Sequence, residues 1–280
     1  MPGAAPFFTI ITATRNAAAT LPRLLESLAS QTCRDFELII QDGASTDDTV
    51  AVAEVRRERL PALRIASEPD TGIADAWNKA LPHIRGQWAL FLGADDRLAT
   101  PETLETSFAW INNALPSCRF AIGGVIYCDV LGSPAATPLY GNAAQVPETI
   151  HHTMIPHSAT FHHTSLFLGH TFSTEYHFLS DWDFVWRTWA ATDMGMDLPF
   201  PVTLMAKGGA TSAVRNIIAL RKEQFRLLKA HGRTLNAHTA FLVHGKALLI
   251  HICATILGIK RTACLLNTVY SIRGKTPIWE

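Results

Sequence analysis

Trp88-Ala89-Leu90-Phe91-Leu92-Gly93-Ala94-Asp95-Asp96 joins an apolar run to two adjacent carboxylates. The run has the length and composition of a buried strand, and its end is a costly place for two negative charges unless a cation is shared there. Hard oxygen donors at a strand end suit a hexacoordinate Mg2+ or Mn2+ that also holds a substrate phosphate. An acidic doublet also serves as a solvated turn or a helix cap, so the pair takes its meaning from what surrounds it.

Upstream, strand and helix signals alternate. Phe7 to Thr12 is β-rich, and Ala17 to Ser30 carries Leu21, Leu24, Leu25 and Leu28 at helical spacing. Phe36 to Ile40 reads as strand, Thr49 to about Arg59 as helix, Leu63 to Ser67 as strand and Ile73 to Leu81 as helix. This order predicts an α/β fold with a Rossmann-like, mostly parallel sheet flanked by helices. Ligands of such sheets bind outside the carboxyl ends of the strands. Asp42, Asp70 and Asp95/Asp96 stand at three of those ends.

Downstream, residues 101–115 read as helix, 119–131 as strand and Pro134 to Pro147 as a loop. His151 to His177 holds seven of the twelve histidines, in spacings that match no compact zinc motif, and His157 alone is kept as a site candidate. Ser180-Asp181-Trp182-Asp183-Phe184 opens a segment of helical spacing, and Ser180 or Asp181 also fits a helix N-cap. Lys207-Gly208-Gly209-Ala210-Thr211-Ser212 is a glycine loop beside a cation.

A chain of 280 residues with 48% hydrophobic content can bury one large α/β core, with or without a helical appendage. Five cysteines without a CxxC pair read as reduced thiols, and the first residues lack a signal-peptide pattern, so a cytoplasmic location is expected. The net charge of zero hides an asymmetry: residues 1–205 carry 12 Lys+Arg against 22 Asp+Glu, and residues 206–280 carry 12 against 2. Ile217 to His231 reads as a basic amphipathic helix. Ala240 to Ile259 is strongly apolar, but His244, Lys246 and His251 argue against a membrane-spanning helix. Either an interfacial helix or a helix packed on the main domain accounts for it.

Taken together and in order, these segments resemble the family 2 glycosyltransferases of the GT-A fold, especially those that build bacterial surface polysaccharides. The resemblance runs through Thr9–Asn16, Phe36–Thr49, Glu68–Lys79, Phe91–Asp96, Pro156–Phe161 and Ser180–Phe184. It implies a transferase domain over residues 1–212 and a basic amphipathic extension over 213–280, a membrane-surface or packing module. It further implies that Thr14, Asn16, Asp42 and Ser45 hold the nucleoside, and that Asp70, Asn78 and Lys79 continue that pocket. Asp96 would hold Mg2+ or Mn2+ against the diphosphate, with Asp95 on the ribose or in the metal shell. Asp181 would be the catalytic base of an inverting transfer, with Asp183 as competing candidate. His157 would line the acceptor side, and Lys207 to Ser212 the diphosphate side. Many relatives carry Asp or Asn where Gly93 stands, so one contact to the nucleotide sugar is expected to be missing. The expected partners are a nucleotide-diphosphate sugar, a saccharide or lipid-linked acceptor and an anionic membrane surface, which would place the chain on the cytoplasmic face of the inner membrane; nucleic acid is not expected.

A sugar nucleotidyltransferase or a dehydrogenase is disfavoured, because no glycine-rich phosphate loop follows the first strand. A scaffold that keeps the fold without turnover is the non-enzymatic alternative. The intact Asp42, Asp96 and Asp181 speak against it.

Overall fold

The computed structural model describes residues 5–128, 139–140, 155–189, 194–206, 213–232, 237–272 and 279. It divides into two compact units. The first holds the described residues up to Ile126, those from Leu139 to Glu175, and Ser180–Met205; the second holds Tyr127, Cys128, Tyr176–Leu179 and the described residues from Ala206 onward.

The first unit is built on strands β1 (Phe8–Thr14), β2 (Phe36–Asp42), β3 (Leu63–Ser67), β4 (Trp88–Phe91), β5 (Arg97–Leu98), β6 (Phe120–Cys128), β7 (Leu139–Tyr140), β8 (Thr160–His163) and β9 (Gly195–Ala206). Strand order among the described residues is β3-β2-β1-β4-β8-β6-β9-β5, with β7 paired to β6. The first four strands run parallel. β8 then enters antiparallel beside β4, and β6 antiparallel to β8. Phe8, Ile10, Ile11, Leu38, Ile39 and Leu90 are all buried, as expected of strands covered on both faces.

Helix α1 (Leu21–Ala29) turns Leu21, Leu24, Leu25 and Leu28 inward, each burial contributing about 2 kcal/mol. α2 (Thr49–Glu54) is shorter than its sequence pattern, because the chain tightens into a 3-10 turn at Arg57–Arg59 and Arg57 bonds to Glu54 and to the Leu63 carbonyl. α3 (Ile73–Ala80) places Trp77 against Phe91, and α4 (Thr103–Ile111) buries Leu104 and Ile111. α5 (Ser180–Thr188) adds Phe184 and Val185 to the same aromatic core as Phe91, Phe120 and Phe172.

The second unit contains α6 (Ile217–Ala230), α7 (Ala237–Leu257) and α8 (Ile259–Ile272) around Val214, Ile217, Ala247, Ile250, Ala263 and Trp279. Glu223 on α6 is buried and accepts the backbone amides of His177, Phe178 and Leu179.

Candidate active site

Parallel register aligns Thr14, Asp42 and Ser67 on one rung at the carboxyl ends of β1, β2 and β3. Asp42 is fully buried there. Its carboxylate accepts four hydrogen bonds, from the hydroxyls of Thr14, Ser45 and Ser67 and from the Ser45 amide. Burial raises its pKa, but these four donors outweigh it and leave the group below the ordinary aspartate range. A carboxylate has about four lone-pair positions. A nucleobase could therefore reach Asp42 only by displacing one of these donors.

Ser45 and Asn16 extend the network. The Asn16 amide donates to Ser45 Oγ at 2.8 Å, and Asn16 Oδ1 accepts the Thr46 amide at 2.9 Å. Asn16 and Ala44 have φ of +50° and +55°, a conformation that costs a non-glycine residue roughly 1–2 kcal/mol and that these bonds hold in place. Thr14, Asn16, Asp42 and Ser45 thus shape the two loops above the sheet edge.

The next strand end supplies an available carboxylate. Asp70 Oδ1 accepts the Gly72 amide at 3.0 Å, whereas Oδ2 accepts no hydrogen bond among the described residues. It lies over Gly43, where a Cβ would stand only 2.3 Å from it. Glycine at 43 therefore makes room for Asp70. Asn78 and Lys79 make contacts within the protein. Asn78 forms a paired hydrogen bond with the Phe172 backbone, 2.8 Å each way, and Lys79 Nζ donates to the Pro69 carbonyl at 2.6 Å. Lys79 also stands 3.5 Å from Asp75, and through Pro69 it holds the loop that carries Asp70.

At the end of β4 the chain turns through an Asp96 amide bond to the Gly93 carbonyl, and the Gly93 amide returns to Asp96 Oδ2 at 2.9 Å. Asp96 is buried and Asp95 exposed. A Cβ placed on Gly93 would lie 2.8 Å from Asp95 Oδ1 and 3.0 Å from Asp96 Oδ2. Two carboxylate oxygens thus converge on one small space that glycine keeps open. Among the described residues no cluster of three or more His, Cys, Asp or Glu is arranged around a metal. Two oxygens from the protein, completed by diphosphate and water, suit Mg2+ or Mn2+. Gly93 therefore leaves the space beside both carboxylate oxygens open.

Asp181 begins α5 and accepts the Trp182 amide at 2.9 Å. It lines a small pocket with His157, Thr160, His162 and Trp182, closed by Ile155 and Val185. Asp183 is committed elsewhere: buried, it pairs with Arg187 at 2.7 Å, and Arg187 also bonds the Thr171 carbonyl. His157 stacks on Phe91 at 5.0 Å, which sets the pocket next to the strand that leads to Gly93. Its Nε2 is sealed and without a partner, as are both ring nitrogens of the fully buried His162 and the Trp182 indole nitrogen. Burial, aided by the neighbouring His162, holds His157 well below the usual histidine pKa. Burial also lowers His162 to about 4, the backbone of Thr160 and Ala89 pulling weakly the other way.

The model of "Glycosyl transferase family 2" matches residues 9–130. A PGL/p-HBAD biosynthesis glycosyltransferase of Mycobacterium tuberculosis is 39% identical over 184 residues, which cover 65% of this chain and 69% of that protein. The chain belongs to glycosyl transferase family 2. Its fold matches that of the mannosyltransferase PcManGT from Pyrobaculum calidifontis in complex with GDP-Man and Mn2+, with a TM-score of 0.63 at 19% identity over 99% of this chain and 83% of that one. S. aureus TarS in complex with UDP-GlcNAc gives a TM-score of 0.59 at 19% identity, covering 89% of this chain and 74% of that one. The chain covers 43% of a longer TarS structure. The fold is GT-A, and the chain is a glycosyltransferase.

The stretch matched by the family 2 model contains Asp42, Asp70, Asp95 and Asp96, while Asp181 lies beyond it. Lys207 and Ser212, expected beside the diphosphate, lie outside the described residues. Sequence reasoning passed over His162 and Glu223. The available signal for Glu223 was its isolation: apart from Glu280 it is the only acidic residue after position 205.

Proposed function

We propose that this family 2 glycosyltransferase moves a sugar from a nucleoside-diphosphate sugar to a hydroxyl of a saccharide or lipid-linked saccharide, with inversion, in the synthesis of a surface polysaccharide. The observation that carries this reading is the convergence of Asp95 Oδ1 and Asp96 Oδ2 above Gly93, at the strand end next to a pocket lined by a third carboxylate, Asp181. The solved structures of similar fold that hold UDP-GlcNAc, or GDP-Man with Mn2+, support the donor class and the ion.

In this reading Asp70, not Asp42, accepts a hydrogen from the nucleobase, and the Thr14–Asn16–Asp42–Ser45 network shapes the loops around the nucleoside. Lys79 fixes the loop of Asp70. A divalent cation held by Asp95 and Asp96 would neutralise charge on the departing nucleoside diphosphate as a Lewis acid. Lys207 and Ser212 are assigned to the diphosphate side. Asp181 takes the proton of the acceptor hydroxyl as its oxygen attacks the anomeric carbon opposite the leaving group. The pairing of Asp183 with Arg187 supports Asp181 over Asp183 in that part. His157 walls the pocket as a neutral ring that adds no competing charge. Residues 1–212 carry the chemistry, and the basic extension from 213 serves attachment or packing.

Asp181→Asn tests this directly. With the donor found by a thermal-shift screen of UDP-, GDP- and dTDP-sugars, kcat should fall about 100- to 10,000-fold while donor affinity stays within about twofold. A variant that retains turnover within tenfold would remove Asp181 from the base role.

A further inference from the structure

In the second unit, α7 and α8 meet at Gly258, whose φ of +84° makes the sharp turn between them. Their inner faces pack through Ala247, Ile250 and Ala263 with Val214, Ile217 and Trp279. Asn267 clamps the Trp279 backbone with two hydrogen bonds of 3.0 Å. The outer faces are apolar as well. Nine of the fifteen large hydrophobic side chains exposed among the described residues lie between Leu248 and Ile272. Leu248, Ile252 and Ile256 repeat every fourth residue on α7, and Leu265, Val269 and Ile272 form the corresponding stripe on α8. Ile256 is 75% and Ile272 80% exposed. Such a surface on a soluble helix marks an interaction site.

Charge selects the occupant. Residues 237–272 contain no Asp or Glu, and Lys246, Lys260 and Arg261 are exposed, Lys246 with its ammonium 5.9 Å from the Tyr270 ring. A second copy docking face to face would set these cations against their own images, with no carboxylate on either helix to neutralise them. Among the described residues no helix is long and apolar enough to cross a membrane. Apolar arcs flanked by Lys and Arg instead match a helix lying in the bilayer interface.

We propose that the outer faces of α7 and α8 form a docking surface for an anionic lipid bilayer, burying the Leu248–Ile256 and Leu265–Ile272 stripes among the acyl chains with Lys260 and Arg261 at the headgroup phosphates. This deepens the proposed reaction, since a lipid-linked acceptor lies at that surface. It does not need turnover to be tested.

The test is flotation of the full chain with vesicles of phosphatidylcholine alone or with one-third phosphatidylglycerol. The chain should bind the anionic vesicles and be released by raised salt. Lys260→Gln/Arg261→Gln should lower partition about 30-fold, about fivefold per cation removed. Ile256→Asp/Ile272→Asp should abolish binding with an unchanged melting temperature, while Val55→Asp, an equally exposed position on another helix boundary, should have no effect. Failure of the full chain to bind, or binding untouched by either double variant, overturns the proposal. Loss of a dimer in Ile256→Asp/Ile272→Asp with vesicle binding retained assigns the face to a second copy.

Discussion

His162 makes the protein acid-sensitive between about pH 6.5 and 4. The ring is fully buried among Phe91, Phe120 and Phe184, at 5.6, 5.4 and 6.1 Å, and burial outweighs the weak pull of the Thr160 and Ala89 backbone on its nitrogens. A free histidine titrates near 6.5 and this one near 4. The unfolded chain therefore binds a proton that the folded chain refuses. The contribution is complete above about pH 6.5 and is lost as pH falls from there towards 4. At pH 5 the difference amounts to about 2 kcal/mol for His162 alone, or roughly 4–8 °C in melting temperature for a domain of this size. His157, shifted in the same direction, adds to it. Thermal unfolding followed from pH 7.5 to 5 should show this loss. His162→Phe fits the aromatic surroundings and carries no proton, so it should melt at or above the parent temperature at pH 7.5 and lose about half of the acid dependence. An acid dependence unchanged in His162→Phe would refute the burial of a neutral imidazole at this position.

Asp42→Ala should cost about 3 kcal/mol without any ligand present, measured by urea unfolding, because it strands Thr14, Ser45 and Ser67. The contribution of Asp42 is present above about pH 3.9 and falls away below it, so the difference between parent and variant should shrink in acid. Asp70→Asn should melt within about 2 °C of the parent yet bind nucleoside diphosphate about tenfold more weakly by calorimetry; the reverse pattern in the two variants would return the base contact to Asp42. Glu223→Ala should destabilise by about 3 kcal/mol, with faster hydrogen exchange at the amides of 177–179.

The parallel half of the fold was legible because its strands and helices carry local periodicity: Leu21, Leu24, Leu25 and Leu28 announce α1, and Leu63 to Ser67 is β3 to the residue. Of the antiparallel half, β6 was legible within residues 119–131, but β8 was not. Thr160–His163 hides as β8 in a histidine-rich stretch, since histidines packed as aromatic core look the same in sequence as histidines gathered for a metal. The clustering of carboxylates at strand ends was equally plain, but the division of labour among them was not. Half of the donors that saturate Asp42, Thr14 and Ser67, stand 28 positions before it and 25 after it, a consequence of strand register that its own neighbourhood, which shows only Ser45, does not reveal. Asn78 and Lys79 sit on a helix face where polar residues fit either role, and only their contacts to Phe172 and Pro69 decide.

Calorimetric titration with UDP, GDP and dTDP, with and without Mn2+, on the parent chain and Asp96→Asn, tests most directly whether the turn above Gly93 anchors a nucleoside diphosphate through a cation. One nucleotide should bind the parent with Mn2+ and lose at least about 100-fold in affinity, near 2.7 kcal/mol, both on chelation and in Asp96→Asn. Binding of equal strength without metal and in Asp96→Asn would contradict the role given to Asp95 and Asp96.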